Sequence, residues 1–386
     1  MHRKHVQVKE TPYGYTFMHK NMCRLRKGLL DMSDSLLMDY IGRIRPLDEG
    51  AVNEAWEYWD SLCKPLRGMG KLEEMVVQLA GIYGTAHPKD LKPVVVIMGA
   101  DNGVVAEGVS QTGSEVTAQV LENMGERISS VCIMARTQGI EVIPVNIGML
   151  VDGKHPRIWN RVVRYGTGNI AKGPAMTRDE AVRAIVTGIQ VVEELYRDGF
   201  RMVITGEMGI GNTTPSSAMA SVLLSKEVEL MTGRGAGLSS EGLNRKIQVI
   251  KRAIEVNQPD KEDILDVLSK IGSLDIAGMI GCYIGAAICR VPALIDGFIS
   301  SVAAYCAAVL APECKAYMVP THCSAEPAGR LMLEALGMEA PIQAGMHLGE
   351  GTGAVTAYGL YQYAFALYDG LPGWNDGKVE AYEHLK

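Results

Sequence analysis

Residues 200–214 read FRMVITGEMGIGNTT, and residues 215–225 continue as PSSAMASVLLS. The apolar run at the start predicts a buried strand, the glycines after it predict a tight loop, and the small and apolar residues that follow predict a helix. A strand that leads through a loop into a helix is the building unit of a parallel α/β sheet. The fold class therefore depends on whether this unit recurs in the chain.

The unit recurs on the N-terminal side. KPVVVIMGADNGV at 92–104 predicts a strand that ends in a polar loop, the segment 115–140 predicts one helix, and EVIPVNIGML at 141–150 predicts the next strand. The segment 177–199 predicts a helix with Thr177 as its N-cap and acidic residues in its first turn. This alternation predicts an α/β fold with a parallel sheet flanked by helices.

Composition limits the class of protein. The chain has 386 residues, of which 47% are hydrophobic, and a formal net charge of −6. This acidic balance argues against a nucleic-acid partner, because proteins that bind the phosphate backbone carry a basic surplus. The N-terminus lacks the apolar segment of a signal peptide, and the eight cysteines form no CxxC pair. We therefore expect buried thiols in a cytoplasmic protein.

The most apolar region spans residues 276–312. Arg290, Pro292 and Asp296 divide it into pieces shorter than the roughly 18–20 residues of a membrane-spanning helix. We therefore expect no membrane span and assign this region to the buried core. Further upstream, residues 48–84 predict two helices joined by a turn that contains proline and glycine.

Three polar loops that contain glycine are candidates for a binding site, at 99–114, 205–214 and 345–353. In parallel sheets, ligands bind where loops leave the carboxyl ends of the strands. We therefore expect all three loops at carboxyl ends of strands.

The loop at 205–214 suits an anion, since the backbone N–H groups of a glycine-rich turn that opens a helix attract phosphate. It lacks the Gly-Lys-Ser/Thr of a P-loop and the order G-x-G-x-x-G, so an ordinary tight turn is the alternative.

Glu207 stands at the mouth of this loop. Glu350 stands among glycines in HLGEGTGA at 347–354, where an N-cap carboxylate is the alternative. Two such loops suggest a substrate that carries phosphate at one end and loses a proton at the other.

Two further segments have simpler explanations. The basic segment 233–250, with Lys246 near a helix start, by itself indicates a solvated face. The segment from 321 places His322, Ser324 and Glu326 near one another. A Ser/His/acid hydrolase, however, would need G-x-S-x-G or a widely separated triad, and neither pattern is present.

Taken together, the chain resembles the nicotinate-nucleotide–dimethylbenzimidazole phosphoribosyltransferase family. Nine blocks run in the same order over most of residues 60–360, which is far more specific than any one block. They are LCKPLRGMGKLEEMVVQLAGI, GADNGVVAEGVS followed by EVTAQ, GTGNIAKGPAMTRDEA, TGEMGIGNTTPSSA, GRGAGLSSEGLNRK, LDIAGMIGCYIGAA, ALIDGFISS, SAEPAGRLMLEALG and LGEGTGA. The first 45 or so residues lie outside the resemblance.

The resemblance implies transfer of the phosphoribosyl group of nicotinate mononucleotide to an aromatic base, for cobamide synthesis. Nicotinate leaves and the anomeric carbon inverts to the α configuration. It also implies a dimer of chains with a Rossmann-like sheet and a small helical domain built from both chain ends. In this chain we expect the small domain from residues 1–85 and 341–386, and the donor-binding α/β domain from 86–340. The last segment would carry the catalytic glutamate loop.

The resemblance also implies roles for single residues. Glu350 matches the catalytic base and Glu207 a second carboxylate, and the two would take a proton from the acceptor and favour positive charge on the ribose. Lys246 matches a lysine that contacts phosphate, beside the amides of Gly209, Gly211, Asn212 and Thr213. Further candidate substrate contacts are Met208, Gly349, Gly351, Asp101, Gln111 and Gln119. Neither a cofactor nor a metal is implied, since nicotinate mononucleotide is a substrate.

The chain departs from the family pattern in the loop that faces the base. Where the family reads close to DHGV and then EGVSAYPQEVT, this chain has DNGVVAEGVSQTGSEVT, with Asn102 for histidine and Thr112–Ser114 for Tyr-Pro-Gln. The acceptor could therefore be a benzimidazole-type base or a phenol such as p-cresol, as in two-subunit relatives. A paralogous partner subunit without turnover is a further alternative, so the dimer could be a homodimer or a heterodimer.

Overall fold

The computed structural model describes residues 32–89 and 91–382. Six parallel strands form one sheet in the order β3-β2-β1-β4-β5-β6. The strands are β1 Pro93–Ala100, β2 Glu141–Gly148, β3 Trp159–Asn160, β4 Met202–Met208, β5 Ala293–Ile295 and β6 Met318–Pro320. The predicted α/β class with a parallel sheet is confirmed.

The helices pack on this sheet and at its ends. They are α1 Met32–Ile41, α2 Glu49–Ser61, α3 Lys71–Tyr83, α4 Glu115–Gly125, α5 Ser130–Arg136, α6 Arg178–Arg197, α7 Thr213–Leu224, α8 Val228–Met231, α9 Ser240–Asn257, α10 Ile264–Ile271, α11 Leu274–Cys289, α12 Phe298–Leu310, α13 Pro327–Ala335, α14 Thr352–Gly370 and α15 Trp374–Gly377. Short 3₁₀ helices occupy Gly103–Glu107 and Pro312–Tyr317.

The strand order reverses between β1 and β4. From β1 the chain proceeds to β2 and β3 on one side, and from β4 it proceeds to β5 and β6 on the other. The loops after β1 and β4 therefore leave in opposite directions and open a crevice at the carboxyl edge, which is where doubly wound sheets bind ligands. The topology thus fixes the place of the site.

The region assigned to the core from its sequence is indeed buried. Helices α11 and α12 expose almost none of their residues. Small residues let α11 approach α6 closely, because a Cβ on Gly188 would lie 2.0 Å from the carbonyl oxygen of Gly278. In the part of the chain that the structure describes, no helix is both long and apolar enough to cross a membrane.

One predicted helix is wrong. The segment 115–140 forms two helices, α4 and α5, because the chain turns at Arg127, which has a φ of +64°. The amide of Ile128 then bonds back to the carbonyl of Asn123, which closes the end of α4. Apolar spacing continues across this turn, so periodicity alone could not reveal it.

Helices from the first and last parts of the described chain pack against each other. Tyr368 of α14 stacks edge-on against Trp59 of α2 and donates a hydrogen bond to the carbonyl of Ala86 at 2.9 Å. Trp374 donates to the carbonyl of Asp60 at 2.9 Å. The predicted domain limits at 85/86 and 340/341 stay a prediction. Residues 1–31 of the first segment, with Cys23, lie outside the described residues. The seven cysteines of the described residues are free thiols.

Candidate active site

A cavity of about 260 Å³ lies at the carboxyl edge of the sheet, beside β4 and β5. Each of the three loops selected from the sequence contributes to its lining, at 109–111, 207–213 and 347–350. The first two leave β1 and β4, as expected. The third does not follow a strand, which corrects the prediction for 345–353: it leads into α14 and reaches the cavity as the approach to a helix.

Glu207 and Glu350 line this one cavity together. Glu207 is the sixth residue of β4, and its Oε2 accepts a hydrogen bond from Asn212 Nδ2. The same Asn212 nitrogen donates to Oδ2 of Asp275 at 2.8 Å, so one amide bridges two carboxyl groups.

Burial is the main cause that raises the pKa of Glu207, and the neighbouring carboxyl groups of Asp275, Asp296 and Glu350 raise it further, to about 8. The raised pKa favours the protonated form of Glu207 near neutral pH, and in that form the carboxyl group is a hydrogen-bond donor. The expected role of Glu207 in the reaction stays a prediction.

Glu350 lies immediately before the N-cap of α14. The N-cap is Gly351, so Glu350 does not cap α14, although its carboxylate lies at the first turn of α5. Its backbone has a φ of +59°, and a Cβ on Gly206 of β4 would lie 3.0 Å from its carbonyl carbon. Its Oε2 accepts from the amide of Val131 at 3.4 Å. Burial raises the pKa of Glu350 above its usual range, which strengthens it as a base.

The N-terminus of α7 faces the cavity with the residues selected for phosphate. Gly209, Gly211, Asn212 and Thr213 all belong to the lining. Gly211 has a φ of +84°, a left-handed conformation that turns the chain from β4 into α7. The N-terminus of a helix carries partial positive charge, so this end of the cavity suits an anion.

Lys246 lies beneath this helix start with 0% of its surface exposed, so a solvated face is wrong for this lysine. Its Nζ donates to Thr213 Oγ1 at 2.8 Å and to the carbonyl of Gly233 at 3.2 Å. Burial lowers the pKa of Lys246 to about 8, against the opposing charge of Glu326. A buried ammonium next to a helix N-terminus adds positive charge to the same end of the cavity.

The remaining candidates fall into two groups. Met208, Gln111 and Gly349 line the cavity, and Gln111 donates to the carbonyl of Gly237. Gly351 is buried at the start of α14. Asp101 and Gln119 are not among the described residues that line the cavity.

Asp101 and Gln119 occupy quite different places. Asp101 is buried, and its Oδ2 accepts from the amide of Leu150 at 2.8 Å, so it joins the loops that follow β1 and β2. Gln119 is exposed on α4. Neither position supports the expected role in substrate binding.

Sequence reasoning missed several polar and charged residues at the site. His322, Ser324 and Glu326, set aside as parts of a hydrolase, line the cavity, and so does Arg234 of the basic segment. Oε1 of Glu326 accepts from the amide of Gly235 at 3.1 Å. Asp296 also lines it, and Asp275 lies behind it. A usable signal existed for Asp296, since it is a lone carboxylate in an apolar run directly after a strand.

Comparisons with known proteins show the family of the chain. A family model described as phosphoribosyltransferase matches residues 44–379. The chain is 48% identical over 324 residues to the nicotinate-nucleotide–dimethylbenzimidazole phosphoribosyltransferase of Acetivibrio thermocellus, covering 84% of this chain and 92% of that protein. It is 45% identical over 346 residues to the protein of the same name from Ruminiclostridium cellulolyticum, covering 90% and 98%. The crystal structure of CobT from Thermus thermophilus superposes with a TM-score of 0.81 at 33% identity, covering 86% of this chain and all of that one.

Proposed function

This chain belongs to the phosphoribosyltransferase family, and from that premise we propose that it transfers the 5-phosphoribosyl group of nicotinate mononucleotide to an aromatic base of the dimethylbenzimidazole type. The observation that carries the proposal is the meeting of Glu207, Glu350 and the N-terminus of α7 in one cavity. A nucleotide donor needs an anion site and a place for proton transfer a few ångströms apart, and this cavity offers both.

The donor's phosphate binds at the start of α7 in this proposal. The amides around Gly211 and Thr213 donate to the phosphate oxygens, and Lys246 supplies positive charge from below through Thr213. The ribose then extends from this anchor toward the two glutamates. Holding the phosphate fixes the anomeric carbon in front of the acceptor, which lowers the entropic part of the barrier.

The reaction needs one proton acceptor. As the bond between ribose and nicotinate breaks, its electron pair returns to the pyridinium nitrogen, which becomes neutral and needs no proton. The unprotonated ring nitrogen of the incoming base forms the new bond with its lone pair, and the other ring nitrogen loses its proton to the Glu350 carboxylate. Glu207 accepts from Asn212 at Oε2, and its raised pKa favours a proton on the carboxyl group that is available for a hydrogen bond to the substrate. No cofactor enters this scheme.

The acceptor is placed against Met208 and residues 109–111. One departure from the family pattern lies in this stretch, since Gln111 stands where the family has alanine and lines the cavity. The other departures lie elsewhere: Thr112–Ser114 are not among the described lining residues, and Asn102 is buried and donates to the carbonyl of Ile210 at 3.2 Å. Since the relatives are named for dimethylbenzimidazole, we propose a benzimidazole-type base.

A competition assay tests the proposal. The purified chain is given nicotinate mononucleotide with equal amounts of dimethylbenzimidazole, adenine and phenol, and the products are identified by mass. We expect nicotinate release together with the riboside phosphate of dimethylbenzimidazole. Absence of nicotinate with all three bases contradicts the proposal. Activity that appears only after a second subunit is added supports the alternative of a partner subunit in a heterodimer.

A further inference from the structure

The helix that follows Glu350 is capped from a distant part of the chain. At the start of α14, Gly351 is the N-cap and no side chain of that segment caps the helix. Instead, Oδ2 of Asp296 accepts from the amide of Gly351 at 3.2 Å, and Oδ1 accepts from the amide of Ala354 at 3.0 Å. Asp296 follows β5, 55 positions before Gly351.

Asp296 is itself held firmly. It is 4% exposed, and its own amide donates to Ser300 Oγ at 3.1 Å. That hydroxyl is 2.7 Å from Thr205 Oγ1 and also bonds with the hydroxyl of Tyr283, so β4, α11 and α12 all fix the place of Asp296. A buried carboxylate is costly unless it is satisfied, and the two amides at a helix start satisfy it.

The cap bears directly on Glu350, because Glu350 is bonded to Gly351. Glu350 has a φ of +59°, a backbone conformation that residues other than glycine adopt only under constraint. The constraint comes from two sides: Gly206 of β4 lies against the backbone of Glu350, and Asp296 holds the amide of the next residue. Without the second contact, the backbone of Glu350 is free to relax.

We propose that Asp296 is a positioning residue for Glu350, whose carboxylate holds the start of α14 and so aims the glutamate into the cavity. The proposal rests on the proposed function, in which Glu350 is the base. A base displaced by about 1 Å loses rate on the order of 100-fold while substrate affinity survives.

The test compares Asp296→Ala and Asp296→Asn with the unaltered chain. We expect kcat to fall about 100-fold for alanine and less for asparagine, which keeps one acceptor oxygen, with KM for nicotinate mononucleotide within about threefold. If KM rises by the same factor as kcat falls, the substitution has disrupted the site generally and the proposal is overturned. An unchanged kcat would also overturn it.

Asp263→Ala is the matched control. Asp263 is the N-cap of α10, its Oδ1 accepts from the amides of Leu265 and Asp266 at 3.0 and 3.2 Å, and its Oδ2 pairs with Arg178 at 2.9 Å. It thus caps a helix with a carboxylate but lies outside the cavity lining. We expect this variant to melt at a lower temperature with kcat unchanged. A comparable fall in kcat would show that loss of any cap is enough, and would overturn the special role of Asp296.

Two measurements keep the outcomes distinct. If Glu350→Gln is fully active, the assignment of the base fails, whereas an inactive Glu350→Gln beside a fully active Asp296→Ala refutes only the positioning role. Should the Asp296 variants not fold, amide hydrogen exchange on the unaltered chain decides: slow exchange at Gly351 and Ala354 supports the cap, and fast exchange contradicts it.

Discussion

A Cβ on Gly349 would lie 2.7 Å from Oε1 of Glu207, so the loop that carries Glu350 passes directly over the other glutamate. The two carboxyl groups therefore share one small volume although 143 positions separate Glu207 from Glu350 (350 − 207). The charge of Glu350 is one of the causes that raise the pKa of Glu207, after burial and the carboxyl group of Asp275.

Glu350→Gln is expected to reduce kcat by at least about 100-fold, because glutamine keeps the size of the side chain and cannot take a proton. Binding of nicotinate mononucleotide, measured by calorimetry, is expected to change by less than about threefold. Turnover by this variant at the normal rate would remove Glu350 from the role of base.

Lys246→Met is expected to raise KM for nicotinate mononucleotide at least about tenfold, which corresponds to about 1.4 kcal/mol, because it keeps the length of the side chain and removes the charge. The control is Lys251→Met on the same helix, where the lysine pairs with Glu229 at the surface. Steady-state kinetics should show an unchanged KM for the control. Equal effects from both would mean that the lysine acts only through the net charge of the protein.

The pH dependence of stability is expected to change in Glu207→Gln. The pKa of Glu207 is about 8 in the folded protein against a usual 4.5, so between these values the folded state holds a proton that the unfolded state releases. The contribution of Glu207 to stability therefore falls as pH rises from about 4.5 to 8. Thermal unfolding should show that the melting temperature of the variant rises relative to that of the unaltered chain as pH increases over this range. A difference that stays constant with pH contradicts the raised pKa.

Gly353→Ala is expected to lower both stability and kcat. A Cβ at this position would lie 1.9 Å from Nδ1 of the buried His322, so the start of α14 must shift, at a cost of about 1–3 kcal/mol. The control is Gly370→Ala at the other end of the same helix, where an added Cβ has no atom within 4 Å. Melting temperature and turnover of the control should be unchanged, and like results for the two variants would rule out the clash.

Much of the fold follows from local pattern. The stretch from 200 contains both β4 and the start of α7, because an apolar run, a glycine turn and small residues each favour one local structure. Thr177 caps α6 as predicted and, with Glu180, forms a full capping box. Such features lie within a few residues of one another, so the sequence alone can reveal them.

The parts that could not be predicted depend on partners far along the chain. Asp101 stands in a polar loop and suggested a ligand contact, but it is buried and its Oδ2 accepts from the amide of Leu150, 49 positions away. Lys246 looked like a surface charge because the residues that enclose it come from other parts of the chain. Asp296 served only as a break in an apolar run, since its partners at the start of α14 become neighbours only after folding.

The left-handed conformation of Glu350 has a consequence for directed evolution. Glycine adopts a φ of +59° freely, whereas glutamate does so at a cost of about 1 kcal/mol. A library ranked only by heat resistance should therefore enrich glycine at position 350, and one ranked by nicotinate release should return glutamate. The two rankings conflict at position 350 because glutamate lowers the stability of the folded chain there but is needed for the reaction.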